Sequence, residues 1–508
     1  MGRKFLLITT DQQRYDGLGC NGGQFAKTPV IDGFAESGIV YRQARNQCAV
    51  CMPARCTVLT GQYVGMHGVT SNGIPLPEDH PSVVHELKRH GYETALIGKA
   101  HFEPHATSDY FENIAARDNL LGPHRGFDHM ELAGHTGRAG RSLFHYPKWL
   151  AETHPDAVAG FHEYTRDGHP SALGGGDTGA PQVANNPIDI EHYHTHWTAR
   201  RTIDWLAGRD DNSDWMCWMS FPDPHHPWDV PNAAKARFEW RDLPLPPGYP
   251  GSREACEAVL RQKPWHWLAW YVGEAQLNFE VPPDYIPANT TAEQIREVNA
   301  VVHAKNELID EAIGEVRDYL VTRGWDEDTD IIFTTDHGEL QGDFGMLFKG
   351  PYHVNALTHV PLIWRPAPSA ALPPAEIEDP VGHVDIAPTI LSRAGIEVPD
   401  WMQGTALPTD PGTTARDRAF TEWRDIFDGN EIVMKTMAKS DVLVTVYEST
   451  NQYNGTEGEL YLLREDPHQW HNLWDDSGHA VLRAELVEEL RTHWPADRET
   501  PLEKVAQV

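Results

Sequence analysis

Cys51, Pro53 and Arg55 occupy alternate positions in the segment Cys51-Met52-Pro53-Ala54-Arg55-Cys56-Thr57-Val58-Leu59-Thr60-Gly61. With six cysteines and 38 prolines in 508 residues, chance alone would supply a C-x-P-x-R string about 0.04 times. Pro53 suits the first turn of a helix and Gly61 its end. Cys51 then lies at a helix N-terminus, where backbone N–H groups and the helix dipole favour an anion. Arg55, one turn further on, reaches the same anion. An anion held beside a cysteine is the chemistry this spacing suits. A buried structural cysteine ahead of a proline-started helix is the plain alternative.

Other polar residues stand at the ends of apolar, β-rich runs. Asp11 follows residues 5–10, Lys99 follows 94–98, Asp223 follows 216–221 and Asp336 follows 330–335. Each run reads as a buried parallel strand. Helical segments at 81–90, 198–207 and 291–323 separate them, which predicts an α/β fold with a large, mostly parallel sheet sandwiched by helices. Ligands of such sheets sit beyond the carboxyl ends of the strands, so these polar residues are expected to converge. The stretches at about 102–190, rich in Gly, His and Pro, and 222–287, rich in Pro and Trp, break the rhythm and read as insertions, functional loops or lids. From about residue 415 the pattern changes to alternating strands at 431–439, 442–449 and 458–463, closed by a helix at 480–493. We expect a catalytic α/β domain over 1–414 and a smaller C-terminal α+β subdomain over 415–508.

Forty-two basic against 74 acidic residues give a net charge of −32. That argues against nucleic acid and anionic membranes as partners, since both need a basic footprint, but leaves room for a small anionic substrate. The N-terminal apolar run is too short for a secretory or membrane segment, which predicts a cytoplasmic protein. Cys48, Cys51 and Cys56 lack the paired spacing of a structural zinc site. Cys48 and Cys56 read as structural.

The C-x-P-[SA]-R-x-x-x-L-T-G string at Cys51–Gly61 resembles the signature of the type I sulfatases, in the alkaline-phosphatase-like superfamily. The likeness runs along nearly the whole chain. It includes Thr28-Pro29-x-Ile31-Asp32, Gly91-Tyr92-x-Thr94, Gly98-Lys99-x-His101 and Pro224-His225-x-Pro227. Thr335-Asp336-His337-Gly338, Asp385-Ile386-Ala387-Pro388-Thr389 and Glu459-Leu460-Tyr461-x-Leu463 continue it, with Asp466-Pro467 and His471-Asn472-Leu473 near the end. The resemblance implies that a formylglycine-generating enzyme oxidises Cys51 to formylglycine, whose hydrate attacks the ester with one hydroxyl and expels the product with the second. It implies one divalent metal ion, Ca2+ or Mn2+, on Asp11, Gln12, Asp336, His337 and the oxygen derived from Cys51. Each Asp taken singly also suits a helix N-cap.

By the same resemblance, Arg55, Lys99, His101, His225 and Lys349 serve the reacting ester. His225 and Lys349 would meet the bridging oxygen, Lys99 would orient the hydrate and His101 would act as the base in product release. Asn72, in Ser71-Asn72-Gly73, suits a substrate donor or a turn equally well. The chain departs from the usual sulfatase at Gln12, where a second Asp is common, and at His337, where Asn is frequent. The Asp-Gln and Asp-His pairs resemble the phosphonate monoester hydrolases, which usually carry Tyr and Thr at the positions of Lys99 and His101.

The expected activity is therefore hydrolysis of aryl-type sulfate esters, with phosphonate monoester or phosphodiester hydrolysis as the alternative. An anion-binding protein with an unconverted Cys51 is a distant third reading. A small anionic ester and the modifying enzyme are the expected partners, and a homo-oligomer is possible. Two further features invite a test: Glu191, His192, His194 and His196 as a second metal cluster, and the tryptophans at 265–270 as part of a lid that shapes an aromatic pocket or an oligomer contact.

Overall fold

A computed structural model describes residues 3–105, 110–136, 140–158, 175–282, 284–413, 416–439 and 441–506. The buried apolar runs form strands, and the main sheet has nine. In chain order the strands are β1 (Lys4–Asp11), β2 (Ile39–Tyr41), β3 (Ala44–Arg45), β4 (Glu93–Gly98), β5 (His129–Thr136), β6 (Gly140–Phe144), β7 (Trp215–Pro224) and β8 (Thr329–Thr335). They continue with β9 (Leu362–Arg365), β10 (Ala375–Ile377), β11 (Val381–Gly382), β12 (Ala419–Phe427), β13 (Asn430–Lys439), β14 (Val442–Tyr447) and β15 (Gly458–Leu462). The sheet order is β10-β2-β9-β8-β1-β7-β4-β5-β6, and β3 pairs with β11 alone.

Strands β8, β1, β7, β4 and β5 are mutually parallel, and β9 and β6 run antiparallel to their neighbours. The centre of the sheet is therefore buried on both faces, as its unbroken apolar runs require. One face packs against the helices His194–Ala207 and Ala292–Thr322, through Ile8, Met219, Phe333, Ala199 and Ile313. The opposite face packs against Cys51–Thr60, Val83–Arg89 and Ile386–Ala394, through Leu7, Trp218, Leu59, Val84 and Ile390. The long helix begins with a capping box, Thr291 taking the Gln294 N–H and Gln294 returning to the Thr291 N–H, a start its sequence announces.

The insertions contain more regular structure than their composition suggests. β5 and β6 lie in the Gly/His/Pro-rich stretch and extend the main sheet at one edge. The 222–287 stretch carries the helices Asn232–Lys235, Arg253–Leu260 and Trp265–Tyr271. Trp267 and Trp270 are buried in the core. The Trp267 ring meets Phe344 at 5.2 Å and Tyr352 at 4.4 Å, and its indole N–H donates to Glu459 in β15. This corrects the reading of the tryptophan run as a lid lining a pocket: Trp267 ties the insertion to the C-terminal sheet through Glu459, and Trp270 packs in the core beside Tyr285. Trp265 alone is well exposed. That sheet has the antiparallel order β12-β13-β14-β15, with the Ala480–His493 helix packed on it through Leu486 and Leu490. β12 was missing from the sequence pattern because Glu422, Arg424 and Asp425 interrupt its apolar residues.

Several buried histidines are held neutral. His67 accepts the Val69 N–H at Nδ1, and His266 accepts the Tyr453 hydroxyl at Nδ1 while giving Nε2–H to the Pro351 carbonyl. Burial pushes His67, His353 and His359 down to about 3 and His266 to about 4. An unfolded histidine binds a proton below about 6.5, so between there and pH 3 the unfolded chain holds more protons than the folded one. Their contribution to stability is complete above pH 6.5 and is lost as the pH falls. The melting temperature is expected to decline steadily from pH 6.5 to pH 4 in scans at constant ionic strength; a flat profile there would contradict this assignment.

Candidate active site

Four strands deliver side chains to one point at their carboxyl ends. β1 ends at Asp11, β4 leads into Lys99, β7 into His225 and β8 into Asp336 and His337. Gly98 lets β4 and β7 approach closely at that end. Its φ is +103°, and a Cβ there would lie 1.8 Å from the Ser220 carbonyl oxygen, so no other residue fits. The helix Cys51–Thr60 points its N-terminus at the same place. Every one of its residues is buried, and Gly61 ends it with φ +65° and an N–H to the Thr57 carbonyl. Asn72 caps the start: its Oδ1 accepts the Met52 N–H at 3.1 Å. This contact is neither of the two roles the sequence offered for Asn72, a substrate donor or a turn; its Nδ2 donates toward Glu280 at 3.4 Å.

Asp11, Cys51, Asp336 and His337 offer ligand atoms that all lie within 4.8 Å of one another, and all four residues are buried. Each carboxylate divides its oxygens. Asp11 Oδ1 is 3.7 Å from Cys51 Sγ and 3.9 Å from His337 Nε2, while Oδ2 pairs with the Lys99 ammonium. Asp336 Oδ1 is 3.7 Å from His337 Nε2 and accepts the Gln12 and His337 N–H groups. Its Oδ2 accepts Arg55 Nε at 3.0 Å. Arg55 also donates to the Lys99 carbonyl at 2.9 Å and to Ser220 Oγ at 2.8 Å.

Burial alone would raise the Asp11 carboxyl, but Lys99, Arg55 and His337 outweigh it and hold Asp11 well below the usual carboxylate range. His337 gives Nδ1–H to the Gly338 carbonyl at 2.9 Å, which leaves the Nε2 lone pair facing Cys51 Sγ at 3.2 Å. Burial lowers its pKa, so the ring is neutral and ready to ligate. Two carboxylates and a neutral imidazole converging around one point fit a divalent cation.

Gln12, the fourth expected ligand, has φ +63°, a strained backbone for a non-glycine residue. Its Oε1 accepts Lys349 Nζ at 2.9 Å, and its Nε2 donates to Glu339. Lys349 in turn meets His225 Nε2 at 2.8 Å and pairs with Glu280. Burial would lower the Lys349 ammonium, yet the facing Glu280 and Asp11 carboxylates raise its pKa. Phe348, just before it, also has positive φ, as does His101. His101 follows Lys99 by two residues. Its N–H donates to Glu112 Oε2 at 3.1 Å, and its ring stacks on His105 at 3.8 Å. Burial pushes the Cys51 thiol far up and Asp11 adds to this, against Lys349 and Lys99, so the thiol stays protonated.

The histidines at 192, 194 and 196 do not form one metal cluster. His194 Nε2 pairs with Asp223 at 3.0 Å and His196 lies 3.7 Å from Glu315, while His192 meets the His154 ring tilted at 3.8 Å and groups with Asp189 and Glu191 instead. Cys48 and Cys56 are buried. Glu280, Glu339, His105 and Lys305 join the site or its support without a sequence motif. Among the described residues, no helix is long and apolar enough to cross a membrane.

The family model described as Sulfatase matches residues 3–396, and that for the N-sulphoglucosamine sulphohydrolase C-terminal region matches residues 342–494. The chain is 26% identical to an arylsulfatase of Clostridium perfringens, over 96% of this chain and 95% of the relative. It is 27% identical to the multifunctional alkaline phosphatase superfamily protein PehA of Trinickia caryophylli, over 94% of this chain and 93% of the relative. The phosphonate monoester hydrolase of Agrobacterium radiobacter superposes with a TM-score of 0.77 at 25% identity, covering 96% of this chain and 95% of that one. With the family model spanning most of the sequence and the strand-end site in place, the chain belongs to the sulfatase family of the alkaline-phosphatase-like superfamily.

Proposed function

We propose that the protein hydrolyses sulfate esters of the aryl type, with formylglycine derived from Cys51 as nucleophile. The observation that carries the reading is the position of Cys51. It stands at a helix N-terminus, 3.2 Å from the free lone pair of His337 and beside Asp11, in a site where its own thiol is protonated. A protonated thiol is a poor nucleophile, whereas a hydrated formylglycine there supplies one hydroxyl for attack and a second for release. A divalent cation of the Ca2+ or Mn2+ class, held by Asp11, Gln12, Asp336 and His337, would neutralise charge on the ester oxygens.

The remaining work falls to the chain's own side chains. Lys99 and Arg55 fix the two carboxylates through their outer oxygens and bring positive charge to the cup. Lys349 and His225, in contact at 2.8 Å, form one donor pair for the oxygen of the departing alcohol. His101 stands on the Lys99 side as the base for product release.

Phosphonate monoester hydrolysis is the second reading, supported by the Asp-Gln and Asp-His pairs and by the similarity to the Agrobacterium enzyme. Lys99 and His101 favour the sulfate ester. The test is the mass of the tryptic peptide containing Cys51, from protein produced with a formylglycine-generating enzyme. A deficit matching conversion of CH2SH to CHO is expected. An unmodified thiol in protein that still turns over esters would overturn the formylglycine mechanism.

A further inference from the structure

We propose that Glu280 is a charge filter. It places a carboxylate on the leaving-group side of the anion cup, so that esters carrying one negative charge are accepted and dianionic monoesters are rejected. The proposal rests on the ester-hydrolase reading above and names the charge class of its substrate.

Glu280 faces the groups that would serve a substrate anion. Its Oε2 pairs with Lys349 Nζ and lies 3.5 Å from His225 Nε2 and 3.6 Å from His226 Nε2. Its Oε1 lies 3.4 Å from Asn72 Nδ2. One of its oxygens, a ring nitrogen of His225 and Cys51 Sγ are all within 4.8 Å of one another. The carboxylate therefore sits about one substrate atom from the nucleophile position.

It is also held there. The Glu280 N–H donates to Asn278 Oδ1 at 2.8 Å, and Asn278 Nδ2 donates to the Lys349 carbonyl at 3.0 Å. Gln182 Nε2 donates to the Glu280 carbonyl at 2.8 Å. The side chain is 14% exposed. These bonds tie the 276–280 segment to the loop that carries Lys349, so the carboxylate and the ammonium move as one unit.

The charge balance follows from the pairings. Lys99 pairs with Asp11, Arg55 with Asp336 and Lys349 with Glu280. Each of the three cations already faces a carboxylate, and the divalent cation proposed above would be held by Asp11 and Asp336 and not by Glu280, so a second negative charge beside Lys349 meets the Glu280 carboxylate. Beyond Glu280 the mouth is a cavity of about 40 Å³ bordered by Phe279, Trp423, Phe427 and Asp425. That border is apolar apart from Asp425, whose carboxylate is already paired with Lys504, so beyond Lys349 the cavity lining carries no other cation. Like charges held this close in a partly dry site discriminate strongly.

The experiment compares the metal-loaded, formylglycine-bearing protein with its Glu280→Gln variant. The substrates are nitrophenyl sulfate and a nitrophenyl phosphonate monoester, both monoanions, and nitrophenyl phosphate at a pH where it is a dianion. Glu280→Gln is expected to raise kcat/KM for the phosphate relative to the monoanions by at least about tenfold, and Glu280→Asp to keep the wild-type ratio. An unchanged ratio in Glu280→Gln overturns the filter.

Should turnover be too slow to read, calorimetric titration of Cys51→Ala and Cys51→Ala/Glu280→Gln with phenyl sulfate and phenyl phosphate reads the same ratio as relative affinity, with the same two outcomes. Wild-type protein that hydrolyses none of the three esters would count against the hydrolase reading, while the titration still decides the filter.

Discussion

Cys51→Ala is expected to fold as the parent does and to lose ester turnover by at least about 10⁴-fold. The side chain fills its place at 0% exposure, but its polar contacts are few: Asp11 Oδ1 at 3.7 Å and His337 Nε2 at 3.2 Å. Removing one sulfur should lower stability by no more than about 1–2 kcal/mol. The ion pairs of Lys99 with Asp11 and Arg55 with Asp336 remain, so the cup and its affinity for an anion should survive. Loss of turnover with retained anion binding and an unchanged circular dichroism spectrum is the predicted combination. Undiminished kcat/KM on a sulfate or phosphonate ester would remove Cys51 from the chemistry.

The second large effect lies behind His225. Lys305, on the long helix Ala292–Thr322, is 1% exposed. Its Nζ pairs with Asp223 Oδ1 at 2.8 Å and donates to the His225 and Pro227 carbonyls at 2.8 and 2.9 Å. Asp229 is 3.9 Å away. Burial would raise the Asp223 carboxyl, but Lys305 and His194 outweigh it and keep it ionised. Lys305→Met would leave that carboxylate buried beside two carbonyls without their donor. Breaking a buried pair from one side costs about 3–5 kcal/mol, which chemical denaturation should detect. The turn carrying His225 would shift as well, and a displacement near 1 Å is enough to lower kcat by about 10²-fold. A variant as stable as the parent, with normal kcat, would show that the helix does not hold this turn.

How much of this was legible beforehand varies by residue. Asp11, Lys99 and Asp336 could be placed together because each ends an apolar run, and parallel strands bring their carboxyl ends to one edge; Asp223, expected with them, turns instead to Lys305, Thr195 and His194 behind the site. The Cys51–Gly61 helix was readable from its proline and its terminal glycine. Glu280 was not readable: it lies in a stretch without periodicity, and its partners Lys349, His225 and Asn72 come from three distant segments. β5 and β6 were hidden by glycines and histidines, and β12 by charged residues whose burial depends on neighbours far along the chain. Trp267 and Trp270 looked available for a pocket because their partners lie far along the chain: Phe344, Tyr352 and Glu459 for Trp267, and Tyr285 among others for Trp270. For Asn72 the string Ser-Asn-Gly allowed two roles, and its bond to the Met52 N–H, twenty residues back in the chain, was foreshadowed by neither.

The complete burial of Cys51 also sets an order of events. Its helix is covered along its whole length, packed on one face by β1 and β8 and on another by the Ile386–Ala394 helix. No second protein can embrace a side chain in that position once β8, more than 270 residues later in the chain, has closed over it. On the proposed formylglycine reading, a modifying enzyme would have to reach Cys51 while the chain is still emerging or unfolded, in the interval between synthesis of residue 61 and docking of β8. Under that reading the rate at which the central sheet assembles would compete with modification, and the fraction of active molecules would be decided before the protein is finished.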